Sequence, residues 1–493
     1  MSRPLCAWLA LGWAAVGCGD NRAPVGSEPA GPGLDDFLPE IPAATGAARA
    51  AWAGAITLDN ADELVSGPAA SGLVGDFFMR NRHGHYVIQA PGRFADLVPQ
   101  GGNLIDAVPL AADGTPAAED HFGELALMYQ LGRTCDHREI AVVRDGSAGG
   151  VAVVRARGVA ETNDFINFRG IGLIPVAAEL NPDIDDGIEC ATTYILEPDA
   201  DHLLIQWTLF NPGVEPVRGP FAAFSDPGGS THTWTPRFGF ESLGLDTLAT
   251  VAEPRSVPYA VQQGSAAAYG LIPRHDDPAT GNTVFLISGV AVVLYGAEAL
   301  IELIDPDAGY LDLPGRDGVT YAMDVVLGRD ANDVEERFRV GRAEIVAELS
   351  GRVVQSIDRP TRIGIFGDSD GDGAIGPDEP IITYAIAESD GTFLARVPPG
   401  NYVIRAEVED LARSNELAVA IGGAGARDLE LAVPDPVTFD YSVRDPDGAF
   451  IPARITALGR HPVAPDPRLF DTSDRASGAV RTIYATRGTT VDI

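Results

Sequence analysis

Four acidic residues stand at the spacing of a calcium-binding loop. Asp368, Asp370 and Asp372 occupy positions 1, 3 and 5 of a twelve-residue stretch that ends with Glu379 at position 12. Ca²⁺ takes six to eight oxygen ligands, so alternate aspartates can turn inward while the glutamate closes the site. Ala374, at position 7, is placed to add its main-chain carbonyl oxygen. The pattern predicts a Ca²⁺ site formed by these five residues.

The segments on either side of this loop have the composition of β-strands. Residues 361–366 and 380–386 are rich in isoleucine and threonine, and Pro377 and Pro380 stand where a second helix would begin. Gly373 permits the sharp bend that brings the acidic side chains together. We therefore expect a calcium clip between two strands rather than a helix–loop–helix sensor. The alternative is an acidic turn that binds no metal.

The same stretch contains the pattern of a serine nucleophile. Residues 367–371 match G-x-S-x-G, and their Gly-Asp-Ser core resembles the first block of GDSL-type hydrolases. A serine nucleophile needs a base. The single histidine downstream, His461, lacks the aspartate that those hydrolases place three residues earlier. We expect Ser369 to face solvent at loop position 2.

A second pattern that could bind a metal is His83-Gly84-His85. On a strand, this spacing puts both imidazole rings on one face. Arginines at positions 80 and 82 flank the pair and disfavour a cation. The sequence therefore predicts a solvated strand end here.

The chain is strongly acidic and contains no lysine. Its 493 residues carry a formal net charge of −35, and every strongly basic side chain is an arginine. A surface of this charge repels nucleic acids and anionic lipid, so no nucleic-acid partner is expected. The absence of lysine excludes Schiff-base catalysis and the lysine of a phosphate-binding loop.

The N-terminus has the features of an export signal. An apolar run over residues 5–16 is too short to span a bilayer, and small residues precede Cys18. Residues 1–18 resemble a bacterial lipoprotein signal peptide, although Ala15 stands where leucine is usual. The resemblance implies lipidation of Cys18 and a membrane anchor outside the cytoplasm, with Gly19 favouring the outer membrane. The alternative is an ordinary secretory signal.

Two further expectations follow from export. Residues 19–49 are rich in glycine, proline and alanine without a period, which predicts a flexible tether. Cys135 and Cys190 are the two cysteines of the mature chain outside the signal region, and an oxidising compartment would allow them to form a disulfide. Two buried thiols are the alternative.

Residues 50–345 contain many short β-type runs separated by glycine, proline, asparagine and aspartate. Only residues 330–339 have the pattern of a short helix. The texture predicts an all-β fold that begins with a large antiparallel sandwich. Residues 193–213, two strand-like runs joined by a Pro-Asp turn, resemble the strand pairs of galactose-mutarotase-like supersandwich domains. Many members of that superfamily bind sugars, so the resemblance implies a carbohydrate partner.

Residues 346–433 are predicted to form a second, complete β-sandwich. The elements D-G-T-F at 390–393, P-P-G-N-Y at 398–402 and V-I-R-A at 403–406 resemble carboxypeptidase-regulatory-like or SdrD-B-like domains of the immunoglobulin/transthyretin type. The resemblance implies a structural or adhesive module that carries the calcium loop. Residues 434–493 are expected to form a further β-module that is partial.

Together these features predict an extracytoplasmic, lipid-anchored Ca²⁺-binding β-protein without assigned catalytic residues. Its large sandwich is expected to contact carbohydrate or a cell-surface protein. The order of elements, including the runs at 75–81 and 101–106, resembles the N-terminal accessory part of carbaryl-hydrolase-like metallohydrolases of the polymerase-and-histidinol-phosphatase type. No D-x-H-x-H run follows residue 437, so no metal ligand of that family can be transferred. The alternative function is an accessory region of a cell-envelope hydrolase, either a metallohydrolase of this type or a sugar-active enzyme, whose catalytic domain is missing from this chain.

Overall fold

Seventeen antiparallel strands form the first and largest part of the fold. The computed structural model describes residues 31–46, 50–129, 132–162, 187–218, 221–228, 231–240, 256–275, 280–287, 290–296, 312–354, 360–408, 413–434, 438–458, 466–470, 479–485 and 489–492. The seventeen strands make one hydrogen-bonded network. It divides into two layers at a single residue pair between Tyr129 and Arg133.

Nine strands form the first layer, in the order β1-β2-β3-β4-β5-β11-β17-β16-β13. Their bounds are β1 Trp52–Ala55, β2 Phe77–Arg80, β3 Gly84–Ile88, β4 Leu104–Pro109, β5 Leu125–Tyr129, β11 Phe221–Ser225, β13 Ser256–Val257, β16 Asn282–Ile287 and β17 Val290–Leu294.

Eight strands form the second layer, in the order β6-β7-β8-β9-β19-β15-β14-β12. Their bounds are β6 Arg133–Asp145, β7 Ala152–Thr162, β8 Glu189–Leu196, β9 His202–Asn211, β12 His232–Trp234, β14 Ala260–Gln263, β15 Ala268–Arg274 and β19 Asp317–Gly328. A separate two-stranded ladder pairs β10 Val217–Arg218 with β18 Asp312–Leu313.

The main core lies between the two layers. Apolar side chains from both layers form one buried cluster, which includes Tyr86, Leu127, Trp207 and Met323. Burial of apolar surface is the dominant stabilising contribution in such a sandwich. The prediction of an all-β chain with a large antiparallel sandwich is confirmed.

The N-terminal segment 31–46 packs on the outer face of the second layer. It contains a 3₁₀ turn at Leu34–Phe37, and the Phe37 ring stacks on Phe210 of β9 with centroids 5.6 Å apart. Further along the segment, Ile41 packs against a small buried cluster of the same layer. This stretch was predicted to be part of a flexible tether. Its described part differs from that prediction because spaced apolar residues find a partner on the sheet.

Helix α1, Ala331–Gly341, covers the other end of this outer face. Asp330 caps the helix, since its carboxylate accepts the N–H groups of Asn332 and Asp333 at 3.0 and 3.3 Å. The short helix predicted at 330–339 is therefore confirmed. A second 3₁₀ turn, Leu58–Glu63, follows β1.

Two smaller sheets pack face to face after the helix. The first has the order β23-β20-β26 and the second the order β22-β21-β24-β25, with a buried apolar cluster between them. The β20 and β26 strands are parallel. The bounds are β20 Ala347–Val354, β21 Thr361–Gly367, β22 Ile381–Ile386, β23 Thr392–Val397, β24 Gly400–Val408, β25 Leu417–Ile421 and β26 Ala426–Ala432.

The last part of the chain contains two short antiparallel ladders. One pairs β27 Thr438–Tyr441 with β30 Thr489–Asp492, and the other pairs β28 Ala453–Leu458 with β29 Ala479–Ala485. Strand β30 thus returns to pair with the first strand of this part of the chain. Within the described residues, no helix is both long and apolar enough to cross a membrane.

Cys135 of β6 and Cys190 of β8 form a disulfide in the core between the layers, with their Cα atoms 6.1 Å apart. Closing a 55-residue separation restricts the unfolded chain.

We predict that Cys135→Ala/Cys190→Ala lowers the free energy of unfolding by about 4 kcal/mol. Denaturant titration measures this change. A reductant should destabilise the wild type and leave the double variant unchanged; an equal effect on both would contradict the prediction.

Buried carboxyl groups hold the loops at one end of the large sandwich. Glu124 is fully buried and accepts the N–H of Val98 at 2.8 Å and the side-chain amide of Asn103 at 2.8 Å. Burial raises the pKa of Glu124 to about 7, although these hydrogen bonds act to lower it. Such shifted groups are candidates for function. Here the hydrogen bonds give Glu124 a structural role in fixing the loop at Val98.

The raised pKa of Glu124 has a consequence for stability. The folded chain holds this proton more tightly than the unfolded chain, so the contribution is fully present below pH 4.5 and is lost as the pH rises through about 7. We predict that Glu124→Gln gains stability relative to the wild type across that interval. Thermal melts at matched pH values test this, and a difference that does not change with pH would rule it out.

Candidate calcium site

The acidic loop connects two paired strands, as the sequence predicted. It joins β21 to β22, which run antiparallel with Gly364 opposite Tyr384. The Gly367 N–H donates to the carbonyl of Pro380 at 3.0 Å and closes the base of the loop. The ends of the loop are therefore fixed by the sheet, and only the residues between them are free to arrange ligands.

The structure brings the four predicted carboxylates together. One oxygen from each of Asp368, Asp370, Asp372 and Glu379 can be chosen so that all lie within 4.8 Å of one another. Because Ca²⁺–oxygen distances are about 2.3–2.6 Å, ligands on opposite sides of one ion are about 5 Å apart. This is the one such group of histidine, cysteine or acidic side chains among the described residues.

Hydrogen bonds within the loop orient the aspartates. Asp368 Oδ1 accepts the Gly373 N–H at 3.4 Å, Asp370 Oδ1 accepts the Asp372 N–H at 3.0 Å, and Asp372 Oδ1 accepts the Ala374 N–H at 2.8 Å. Gly373 has φ +74°, a conformation that glycine adopts without strain. The backbone thus holds each carboxylate while leaving its second oxygen available.

Glu379 differs from the aspartates because it is buried. The residue is only 6% exposed. Oε2 accepts the Gly376 N–H, whereas Oε1 is buried without a hydrogen-bond partner. A buried carboxylate oxygen without a partner is costly, so it requires an explanation such as a metal ion. Oε1 is therefore the Glu379 oxygen that has no protein donor, while Oε2 has one.

The remaining sequence-based candidates fall in different places. Ser369 is exposed on the loop, as predicted. Cys18 and the signal peptide lie outside the described residues. His85 is buried beside Glu63, 3.6 Å from Nε2 to Oε2, and burial lowers the pKa of His85 to about 4. The prediction of a solvated strand end is therefore wrong for His85.

A polar cluster that the sequence did not predict lies on the outer face of the second layer. His202 is the first residue of β9, and its Nδ1 lies 3.0 Å from Asp201. Its Nε2 lies 3.4 Å from Asp324 of β19 and 3.3 Å from guanidinium nitrogens of Arg274 and Arg337. Arg274 also pairs with Asp324 at 2.7 Å. Three strands and helix α1 therefore converge on one imidazole.

A cleft of about 700 Å³ opens beside this cluster, between β15 and the C-terminal end of α1. Its walls are formed by charged, apolar and aromatic residues, namely Pro258, Ile272, Pro273, Arg274, His275, Thr280, Asp324, Arg337, Phe338, Gly341, Arg342, Ala343 and Glu344. Clefts of this size with a few convergent polar groups are typical of small-molecule sites. In the sequence, Asp201-His202 alone has the pattern of a surface turn. The cluster becomes visible only when the long-range pairing of β9, β19 and β15 is known.

Comparison with known proteins identifies no family for this chain. No family model matches the sequence, and no curated protein matches it. Solved structures with similar folds include galactose mutarotase-like proteins and glycoside hydrolase family 38 proteins.

Three of these structures give the level of similarity. Slr1438 from Synechocystis has a TM-score of 0.32 and 8% identity, over 54% of this chain and 99% of its own. A galactose mutarotase-like protein from Lactobacillus casei has a TM-score of 0.28 and 11% identity, over 52% of this chain and 100% of its own. An alpha-mannosidase from Enterococcus faecalis has a TM-score of 0.33 and 12% identity, over 57% of this chain and 31% of its own. Because these TM-scores are below 0.5, the fold assignment rests on the strand pairing described above and not on these neighbours.

Proposed function

We propose that this chain is a Ca²⁺-binding multidomain β-protein in which the metal has a structural role. Asp368, Asp370, Asp372 and Glu379 would supply carboxylate oxygens, and Ala374 would add its main-chain carbonyl. The observation that carries the proposal is the buried Oε1 of Glu379, which has no hydrogen-bond partner and belongs to the four-carboxylate group. Ca²⁺ prefers such oxygen ligands, and its charge would offset the mutual repulsion of the carboxylates.

The proposed metal acts on stability because its ligands lie in a loop between paired strands. Binding to the folded state alone stabilises it by mass action. At a free Ca²⁺ concentration ten times the dissociation constant, the gain is about 1.4 kcal/mol. No group in the loop is assigned a catalytic role.

We place the chain outside the cytoplasm, anchored through a lipidated Cys18 in the outer membrane. The export signal in the sequence supports this proposal, and the Cys135–Cys190 disulfide is compatible with an oxidising compartment. Extracellular Ca²⁺ is abundant enough for weak modules to bind it.

A second candidate function is carbohydrate binding in the cleft beside His202. The supporting observation is a pair of planar polar groups that line the cleft, Arg274 and Asp324. Gln206 lies on the same sheet face, on the neighbouring strand β9, outside the cleft wall. The Gln206 Oε1 is buried without a hydrogen-bond partner. A guanidinium donates hydrogen bonds, a carboxylate accepts them and a side-chain amide does both, so together these groups suit the vicinal hydroxyls of a polyhydroxylated ligand. Phe338 adds an aromatic face to the cleft wall.

We predict that EDTA lowers the melting temperature of the wild type and that added CaCl₂ restores it. Asp370→Ala should weaken Ca²⁺ binding at least about tenfold in calorimetry, because it removes one ligand from an oxygen cage. Asp378→Ala is a matched control: it removes the same charge from an exposed position of the same loop. Equal loss of affinity in both variants, or melting that is insensitive to EDTA, would refute the ligand assignment.

For the cleft, we predict that a glycan array identifies at least one bound oligosaccharide. Arg274→Gln and Asp324→Asn should each weaken that binding about tenfold, since each removes a charged hydrogen-bonding group. Arg427→Gln serves as a control, because Arg427 is exposed on the smaller sandwich and pairs only at the surface with Glu348. The cleft is the wrong site if all three variants bind the oligosaccharide equally well.

A further inference from the structure

We infer that Ca²⁺ binding is coupled to the docking of a distant segment, residues 466–470, and that Arg468 is a positioning residue for the closing glutamate, Glu379. The inference rests on the proposed calcium site and deepens it by naming what the site regulates. We call the segment 466–470 the plug.

The plug is buried although it belongs to the last part of the chain. Leu469 and Phe470 are 0% and 2% exposed, and they join an apolar cluster with Trp234 of the large sandwich, Phe366 of β21 and Tyr384 of β22. The plug therefore lies where the two sandwiches meet. Its apolar residues give it a stabilising contact with both.

Arg468 connects the plug to the end of the calcium loop. Its Nη1 donates to the carbonyl of Glu379 at 2.9 Å and lies 3.5 Å from the carbonyl of Gly376. These two residues are already joined, because the Gly376 N–H donates to Glu379 Oε2. One guanidinium thus fixes the backbone turn that sets the direction of Glu379 Oε1.

The guanidinium is itself held in place. Its Nε and Nη2 donate to both oxygens of Asp466, at 2.9 and 2.8 Å, and its carbon lies 4.6 Å from the centroid of the Phe366 ring. Burial acts to raise the pKa of Asp466, but the bonds from Arg468 and Arg405 outweigh it and lower that pKa to about 2. The carboxylate that anchors Arg468 therefore stays charged at physiological pH.

A second connection reaches Ile375, the residue that precedes Gly376 in the loop. Arg405 pairs with Asp466 at 2.6 Å and with Glu416 at 3.3 Å. Glu416 Oε2 accepts the N–H of Ile375 at 3.0 Å. The plug is thus linked to Ile375 through the side chains of Arg405 and Glu416. It contacts Gly376 and Glu379 directly through Arg468.

The large sandwich contacts the same elements through one side-chain and two backbone N–H donors. Trp234 Nε1 donates to the carbonyl of Arg468 at 3.1 Å, and the Phe240 N–H donates to the carbonyl of Pro467 at 3.1 Å. Immediately after the loop, the Arg237 N–H donates to the carbonyl of Ile381 at 2.7 Å. The end of the loop, the plug and residues 234–240 therefore share one set of hydrogen bonds.

Fixing one partner in such a set lowers the cost of fixing the others. A cation that draws Glu379 Oε1 inward also orders the carbonyls of Gly376 and Glu379 toward Arg468. By thermodynamic linkage, a docked plug must then raise the affinity for Ca²⁺ by the same factor as Ca²⁺ favours docking. Calcium would in this way set the arrangement of the two sandwiches and the last module.

The test uses the full chain and measures two quantities. Calorimetry gives the Ca²⁺ affinity of the wild type, Arg468→Gln and the surface control Arg427→Gln. Amide hydrogen exchange, with and without CaCl₂, gives the protection of residues 466–470 and 234–240. We expect Ca²⁺ to slow exchange in both segments of the wild type. We expect Arg468→Gln to lose affinity about fivefold or more, and the control to keep it.

Two outcomes overturn the inference, and they are distinguishable. If the wild type binds Ca²⁺ but exchange at 466–470 and 234–240 does not change, the coupling is absent while the proposed function stands. If the wild type shows no Ca²⁺ binding, both fail together. The exchange comparison on the wild type does not depend on any variant, so a misfolded Arg468→Gln protein would not weaken the test.

Discussion

Mutual repulsion of carboxylates is the constraint on which the junction between the sandwiches depends. Four acidic side chains lie within 4.8 Å in a protein of net charge −35, and one of them is buried. Asp370 and Asp372 are exposed to water, which screens them, and Asp368 is half-buried, but Glu379 is buried. Its position is nevertheless fixed by the backbone of Gly376 and by the plug. The fold therefore places a buried carboxylate oxygen without a hydrogen-bond partner beside three other acidic side chains.

The outer face of the second layer is shared among three neighbours. Segment 31–46 covers the end near Phe210, and α1 with the smaller sandwich covers the end near Val326. The cleft with His202 lies beside β15, next to the helix. A sheet covered on both faces explains why β8 is buried along nearly its whole length rather than at alternate residues. Toward the β6 edge the same face is more exposed, since the second half of β6 alternates between exposed and half-buried residues.

The sequence was informative wherever the determining residues are neighbours in the chain. The loop, its flanking strands and the capped helix after Asp330 could be predicted because ligand spacing, β-branched residues and caps are local patterns. The packing of Ile41 could not, since glycine and proline dominate its surroundings and its partners lie more than 100 residues away. The His202 cluster was missed for the same reason. Nothing near Asp201-His202 indicates that Asp324 and Arg274 lie on adjacent strands.

The absence of lysine helps to explain how the junction is built. A lysine ammonium is a compact point charge, whereas a guanidinium presents five donors in a fixed plane. Arg468 uses one edge for both oxygens of Asp466 and another nitrogen for the loop carbonyls. One side chain thus neutralises a buried acid and orients the turn beside Glu379 at the same time. Arg468 therefore lies close to the proposed calcium loop while its guanidinium is paired with Asp466, which also pairs with Arg405.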